Sequence, residues 1–125
     1  MKHEKLTWEI INAAMHVHSV LGSGFNEKVY RLSLVHELHK RGMCAESEKG
    51  INVFYDSVCV GKYKVDILAE REIIIEIKIV KRIIPVHFKQ VKNYLKATNN
   101  DTGLLLNFEL ESLEYFRVFS KPAEY

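Results

Sequence analysis

At 125 residues the chain has room for one hydrophobic core but not comfortably for two. Its 47% hydrophobic and 27% charged residues are the composition of a globular domain and exclude a disordered or membrane-embedded chain. A formal net charge of +2 permits contact with a polyanion without predicting it, because such binding depends on where the charge lies.

The longest apolar runs, Ile73-Ile74-Ile75 and Gly103-Leu104-Leu105-Leu106, are far too short to span a bilayer. The N-terminus, Met1-Lys2-His3-Glu4-Lys5, leads into an amphipathic pattern with no continuous apolar run or cleavage site, so no secretory signal is expected. Cys44 and Cys59 form no CxxC and have no evident zinc partners. Two reduced cysteines in a cytoplasmic protein are therefore expected. No repeat or linker interrupts the chain, so residues 1–125 are read as one domain.

Leu6, Ile10, Ala13, Ala14, Val17 and Leu21 recur at helical spacing and predict an amphipathic helix over about residues 5–21. Gly22-Ser23-Gly24 stops it. A second helix is expected from Phe25 to Arg41, with Gly42 as its C-terminal signal. Glu27 and Tyr30, at i and i+3, share a face near its start. A carboxylate there is favoured by the helix dipole alone, but it is also a candidate acidic group for a metal site, directly or through water.

Residues 48–55 alternate as a strand and end at the turn signal Asp56-Ser57. Val58–Leu68 and Ile73–Val80 read as two further strands, and the short polar link Ala69–Glu72 makes them a hairpin. Pro85 suits the first position of a helix over about residues 85–98. Gly103–Phe108 and Glu114–Phe119 close the chain as strands. The order α-α-β-β-β-α-β-β predicts an α+β domain with helices flanking a mixed central sheet.

The hairpin carries the chemistry. Glu76 and Lys78, two residues apart on one strand, point the same way, and Asp66 lies on the neighbouring strand. Two close carboxylates repel unless one is protonated or a cation sits between them. Mg²⁺ or Mn²⁺ suits such a pair, since these ions take a few hard oxygen ligands together with water and phosphate oxygens. Lys78 beside the ion could orient the attacking water and stabilise charge on a phosphate. A strand-end ion pair would account for the same three residues structurally.

On the third helix Phe88, Val91 and Leu95 form the core face, with His87, Gln90 and Tyr94 along one flank. Lys89, Lys92 and Lys96 are expected along the other flank, turned away from Gln90 and Tyr94. Gln90 and Tyr94 at i and i+4 could hold a site lysine or contact phosphate. From Ile77 to Asn100 the chain carries six basic residues and no acid. Within that stretch Lys81 and Arg82, near the end of the Glu76 strand, are the better candidates for nucleic-acid contact.

In this order the pieces resemble the GxxExxY family, a branch of the PD-(D/E)XK nuclease-like superfamily. The name motif is Gly24, Glu27 and Tyr30, preceded by Val17-His18 and Leu21-Gly22; the superfamily pattern is Asp66, Glu76-Ile77-Lys78, then Gln90 and Tyr94-Leu95. Gly103–Phe108 and Arg117 look like the family's closing strands, and Val65 stands where the superfamily's proline would be. The resemblance implies a restriction-endonuclease-like core of α/β type. It implies Asp66 and Glu76 as metal ligands, Lys78 as catalytic lysine, and Glu27 as an added acidic residue. Gln90, Tyr94 and Tyr30 would support the site or touch substrate. The expected function is metal-dependent hydrolysis of phosphodiester bonds in DNA or RNA, with a homodimer or protein partner compatible. The rival expectation is a non-catalytic nucleic-acid-binding or protein-assembly domain that keeps the fold.

Overall fold

The computed structural model describes residues 3–120. Met1 and Lys2, part of the segment read for a secretory signal, lie outside the described residues. Helices α1 (Glu4–Leu21) and α2 (Glu27–Lys40) precede strands β1 (Ala45–Tyr55), β2 (Val58–Ala69) and β3 (Ile73–Lys78). Helix α3 (Pro85–Thr98) and strands β4 (Thr102–Asn107) and β5 (Glu114–Phe119) follow. The sheet order is β1-β2-β3-β4-β5, with only β3 and β4 parallel. A parallel pair needs a crossover, and α3 supplies it. The architecture is the expected α+β fold, a mixed sheet flanked by helices.

Where the length predicts a single core, the structure has two, one on each face of the sheet, because alternation along β3 divides its side chains between them. Ile73, Ile75 and Ile77 face α1 and α2 beside Ile10, Leu34, Leu104 and Phe108. Ile74 faces α3 beside Val91, Leu95 and Leu105. A strand covered on both faces is apolar along its length, so the nearly inaccessible Glu76 stands out in β3. Gly103 lets α3 approach this face, since a Cβ there would come within 2.7 Å of Val91 Cγ1.

Element boundaries shift for local reasons. Helix α2 starts at Glu27 rather than Phe25, because Asn26 Oδ1 caps it by accepting the Val29 N–H at 3.1 Å. Strand β1 starts at Ala45, three residues earlier than expected, and Cys44 already bonds Glu70 across the sheet. Strand β3 ends at Lys78 rather than Val80, because the buried Asn107 side chain takes over the backbone pairing. Its Nδ2 donates to the Val80 carbonyl at 2.8 Å and its Oδ1 accepts the Val80 N–H at 3.2 Å. The β1–β2 turn places both its residues, Asp56 and Ser57, at positive φ, the backbone of a tight two-residue connection. The three-residue β2–β3 link, Glu70–Glu72, holds Glu70 and Arg71 at positive φ.

Candidate functional site

The long β1–β2 hairpin changes face in its middle. Ser47 pairs with Ile67 and Lys49 with Val65, but Glu48 and Asp66 between them form no pair. Glu48 there is left-handed, at φ 51°. Below this interruption Ile67 and Ala69 pack toward α1 and α2; above it Ile51 and Val65 pack toward α3. Asp66 sits at the crossover.

Strand β2 also leaves β3 at this point. Their ladder covers Ile67–Ala69 against Ile73–Ile75, whereas β3 stays paired with β4 as far as Lys78. The freed Ile77 N–H donates to Asp66 Oδ2 at 2.7 Å. In return the Asp66 N–H donates to Glu76 Oε1 at 3.0 Å. Each carboxylate thus stands in for a missing strand contact, and the two are held side by side in the gap.

Charge in this gap is poorly compensated. Burial raises the Asp66 carboxyl above its ordinary value, and the negative charge of Glu27 adds to this against the Ile77 hydrogen bond. Burial and then the charge of Asp66 push Glu76 up to about 8. Among the described residues no lysine or arginine forms an ion pair with either group. Lys78, on the same face as Glu76, lowers both by its charge but donates its Nζ to Gln90 Oε1 at 2.9 Å. Gln90 Nε2 donates in turn to Tyr94 Oη at 3.2 Å. Burial and then the charge of Glu76 raise the Tyr94 hydroxyl, which ties the chain of groups to the carboxylates.

Glu27 reaches this region from α2. Its carboxylate accepts from Arg31 Nε at 2.7 Å, one helical turn on. The buried Arg31 guanidinium also donates to Ser47 Oγ at 2.6 Å and lies 3.4 Å from a Glu48 carboxylate oxygen. Arg31 therefore links Glu27 to the interruption that sets Asp66. Arg31, Ser47 and Glu48 carry no site signature in the sequence beyond the i, i+4 spacing of Glu27 and Arg31. Among the described residues no three Asp, Glu, His or Cys side chains are close enough together to hold a metal ion as direct ligands. Two hard, adjacent carboxylates that no ion pair engages nonetheless fit a divalent cation whose other positions go to water or substrate oxygens.

The remaining expected residues divide. Tyr30 is fully buried in the core beside α1 and α2, stacked 4.6 Å from Phe108. Its hydroxyl donates to the Gly22 carbonyl at 2.5 Å and accepts the Phe25 N–H at 3.3 Å. It pins the loop before Glu27, where Gly24 takes φ 112°, a conformation suited to glycine. His18 is buried and bonded to the Leu110 carbonyl at 2.9 Å. Lys81 and Arg82 are exposed on the loop between β3 and α3. The three α3 lysines do not share one fate. Lys89 and Lys96 line the same groove as Gln90 and Tyr94, and Lys92 does not. At 100° per residue the stripe from Lys96 through Asn93 to Tyr94 faces the hairpin, with Lys92 outside it. Cys44 and Cys59 are free and exposed. No helix among the described residues is long and apolar enough to cross a membrane.

Residues 4–118 match the family described as the PD-(D/E)XK nuclease superfamily. No curated protein sequence matches the chain. Among solved structures, the crystal structure of SSO0001 superposes with a TM-score of 0.56 at 18% identity, over 98% of this chain. The chain spans 61% of that protein's length. An alkaline exonuclease from Laribacter hongkongensis superposes with a TM-score of 0.52 at 13% identity, over 86% of this chain and 76% of the exonuclease. At these identities the structural likeness establishes the fold.

Proposed function

The chain belongs to the PD-(D/E)XK nuclease superfamily, and from that premise we propose that it is a Mg²⁺- or Mn²⁺-dependent nuclease hydrolysing phosphodiester bonds in DNA or RNA. The observation that carries this reading is the pairing of Asp66 and Glu76 across the gap between β2 and β3, with Lys78 on the same face. The exonuclease among the structural neighbours supports it. Gly24, Glu27 and Tyr30 support placement in the GxxExxY branch. The continuous sheet and the match over residues 4–118 support one nuclease-like domain, and two free cysteines suit a cytoplasmic setting.

Asp66 and Glu76 would hold the ion, which when bound polarises the phosphate and lowers the pKa of water. Glu27, engaged by Arg31, contributes through water rather than as a direct ligand. Lys78 Nζ, held by Gln90, positions the water for in-line attack and meets the charge developing on the phosphoryl oxygens. Tyr94 fixes Gln90, and so the lysine. Lys81 and Arg82 contact the phosphate backbone on either side.

The test is a cleavage screen over single-stranded, duplex and branched DNA and RNA in Mg²⁺ and in Mn²⁺. Cleavage of at least one form, abolished by chelation, is expected. Salt-sensitive binding with no cleavage of any form would contradict the enzymatic reading.

A further inference from the structure

Between the outer half of the β1–β2 hairpin and α3 lies a groove of about 690 Å³. That is within the range of ligand clefts, roughly 300–1,000 Å³. Gln90 and Tyr94 line it, and since Gln90 holds Lys78 and Tyr94 holds Gln90, the groove borders the residues that position the site lysine. Its other walls combine two chemistries. Phe54 and Tyr63 present rings that are 62% and 51% exposed, with Tyr63 6.1 Å from Tyr94. Lys89 and Lys96 supply positive charge, and no acidic residue is among the lining side chains.

Resting on the nuclease reading above, we propose that this groove binds an unpaired polynucleotide strand and feeds it to Asp66, Glu76 and Lys78. A duplex presents phosphates outward and keeps its bases stacked, so exposed rings would gain little from it. A single strand offers every base as a stacking face while its phosphates reach the two lysines. The ring of Tyr63 against Tyr94 places one stacking position next to the residues that hold the lysine. The hairpin bends toward α3 above Asp66, so the interruption that positions the carboxylate also builds the groove's wall.

The experiment measures affinity of the full chain, in EDTA, for labelled oligothymidylate, oligouridylate and a duplex of equal length. Phe54→Ala and Tyr63→Ala change exposed side chains, and thermal melting confirms that each still folds. Each is expected to weaken single-strand binding at least about fivefold, the lower end of base–aromatic stacking. Duplex binding is expected to change less than about twofold. Lys89→Gln with Lys96→Gln should lower the salt slope for the single strand by roughly 0.7 per lysine. Equal losses on duplex and single strand, or no loss on either, would overturn the proposal. So would a variant-induced shift from dimer to monomer at unchanged single-strand affinity, which would assign the face to a second copy of the chain. Hydrolysis of bis-p-nitrophenyl phosphate by the unaltered protein in Mn²⁺ is read separately. Its absence would count against the nuclease reading, while the binding contrast still decides the groove.

Discussion

The backbone N–H of Asp66 donates to the side chain of Glu76 at 3.0 Å, while the Asp66 carboxylate accepts from the residue after Glu76, at 2.7 Å. The two acids are thereby built into the sheet's own hydrogen bonding. Asp66→Asn keeps an oxygen for the Ile77 N–H, so the variant should fold with a stability loss of about 1 kcal/mol or less. It should nevertheless lose the rise in melting temperature that Mn²⁺ gives the unaltered protein, and cleavage should fall at least about 100-fold. Thermal melts with and without Mn²⁺, beside cleavage rates, check both.

The position of Glu76 sets a pH dependence. Its carboxyl is pushed up to about 8 from an ordinary value of 4.5. Between those values the folded, metal-free protein holds a proton that the unfolded chain has released. Stability is therefore full below 4.5 and falls as pH rises toward 8, by at most about 1.4 kcal/mol per pH unit for one proton. Asp66 shifts in the same direction. Metal binding must displace that proton, so affinity should climb up to about tenfold per pH unit and level off above about 8. Calorimetric titration of Mn²⁺ at several pH values should show this slope, and Glu76→Gln should abolish the binding.

Gln90 holds the lysine rather than the substrate's reacting atoms. Gln90→Ala frees Lys78 Nζ from its 2.9 Å bond and should lower kcat roughly 10–100-fold, the scale seen when the group orienting a reacting residue is lost. Tyr94→Phe removes only the second link, 3.2 Å away, and should lower kcat less than Gln90→Ala. Steady-state kinetics separating kcat from KM decide the order, which would reverse if Tyr94 were the group on the phosphate.

Much of this was legible in the sequence. Periods of 3.6 and 2 give the eight elements in order, and β5 falls on its expected bounds, Glu114–Phe119. The charges of Asp66 and Glu76-x-Lys78 mark the site because apolar strands tolerate such groups only with compensation. The face change in the hairpin was hidden, since a one-residue interruption at Glu48 leaves no trace in an alternating pattern. The burial of Tyr30 was hidden too, because its hydroxyl is satisfied by backbone of a loop whose path the sequence does not show. The spacing of Lys89, Lys92 and Lys96 groups them on one flank, yet of the three only Lys92 lies off the groove. The outer hairpin that gives α3 its third, groove-facing side becomes visible only in three dimensions.

Arg31 joins α2 to the interruption in the hairpin. Arg31→Met should leave Glu27 and Glu48 without their cation and free Ser47. Both carboxylates are partly exposed, at 37% and 53%, so the loss should be about 1–2 kcal/mol rather than that of a fully buried pair. Amide exchange should rise around residues 46–49 and 65–67, with cleavage falling as Asp66 loses its fixed place. Unchanged exchange there would remove Arg31 from the support of the site.

The most direct measurement is the rate of phosphodiester cleavage in Mn²⁺ by Lys78→Ala beside the unaltered protein, with Mn²⁺ binding measured on the same samples. Lys78 is not an ion ligand, so Lys78→Ala should bind Mn²⁺ at least as well and cleave roughly 10²–10⁴-fold more slowly. A Lys78→Ala protein that cleaves at the unaltered rate, with Mn²⁺ bound, would contradict the assignment of the chemistry to Asp66, Glu76 and Lys78.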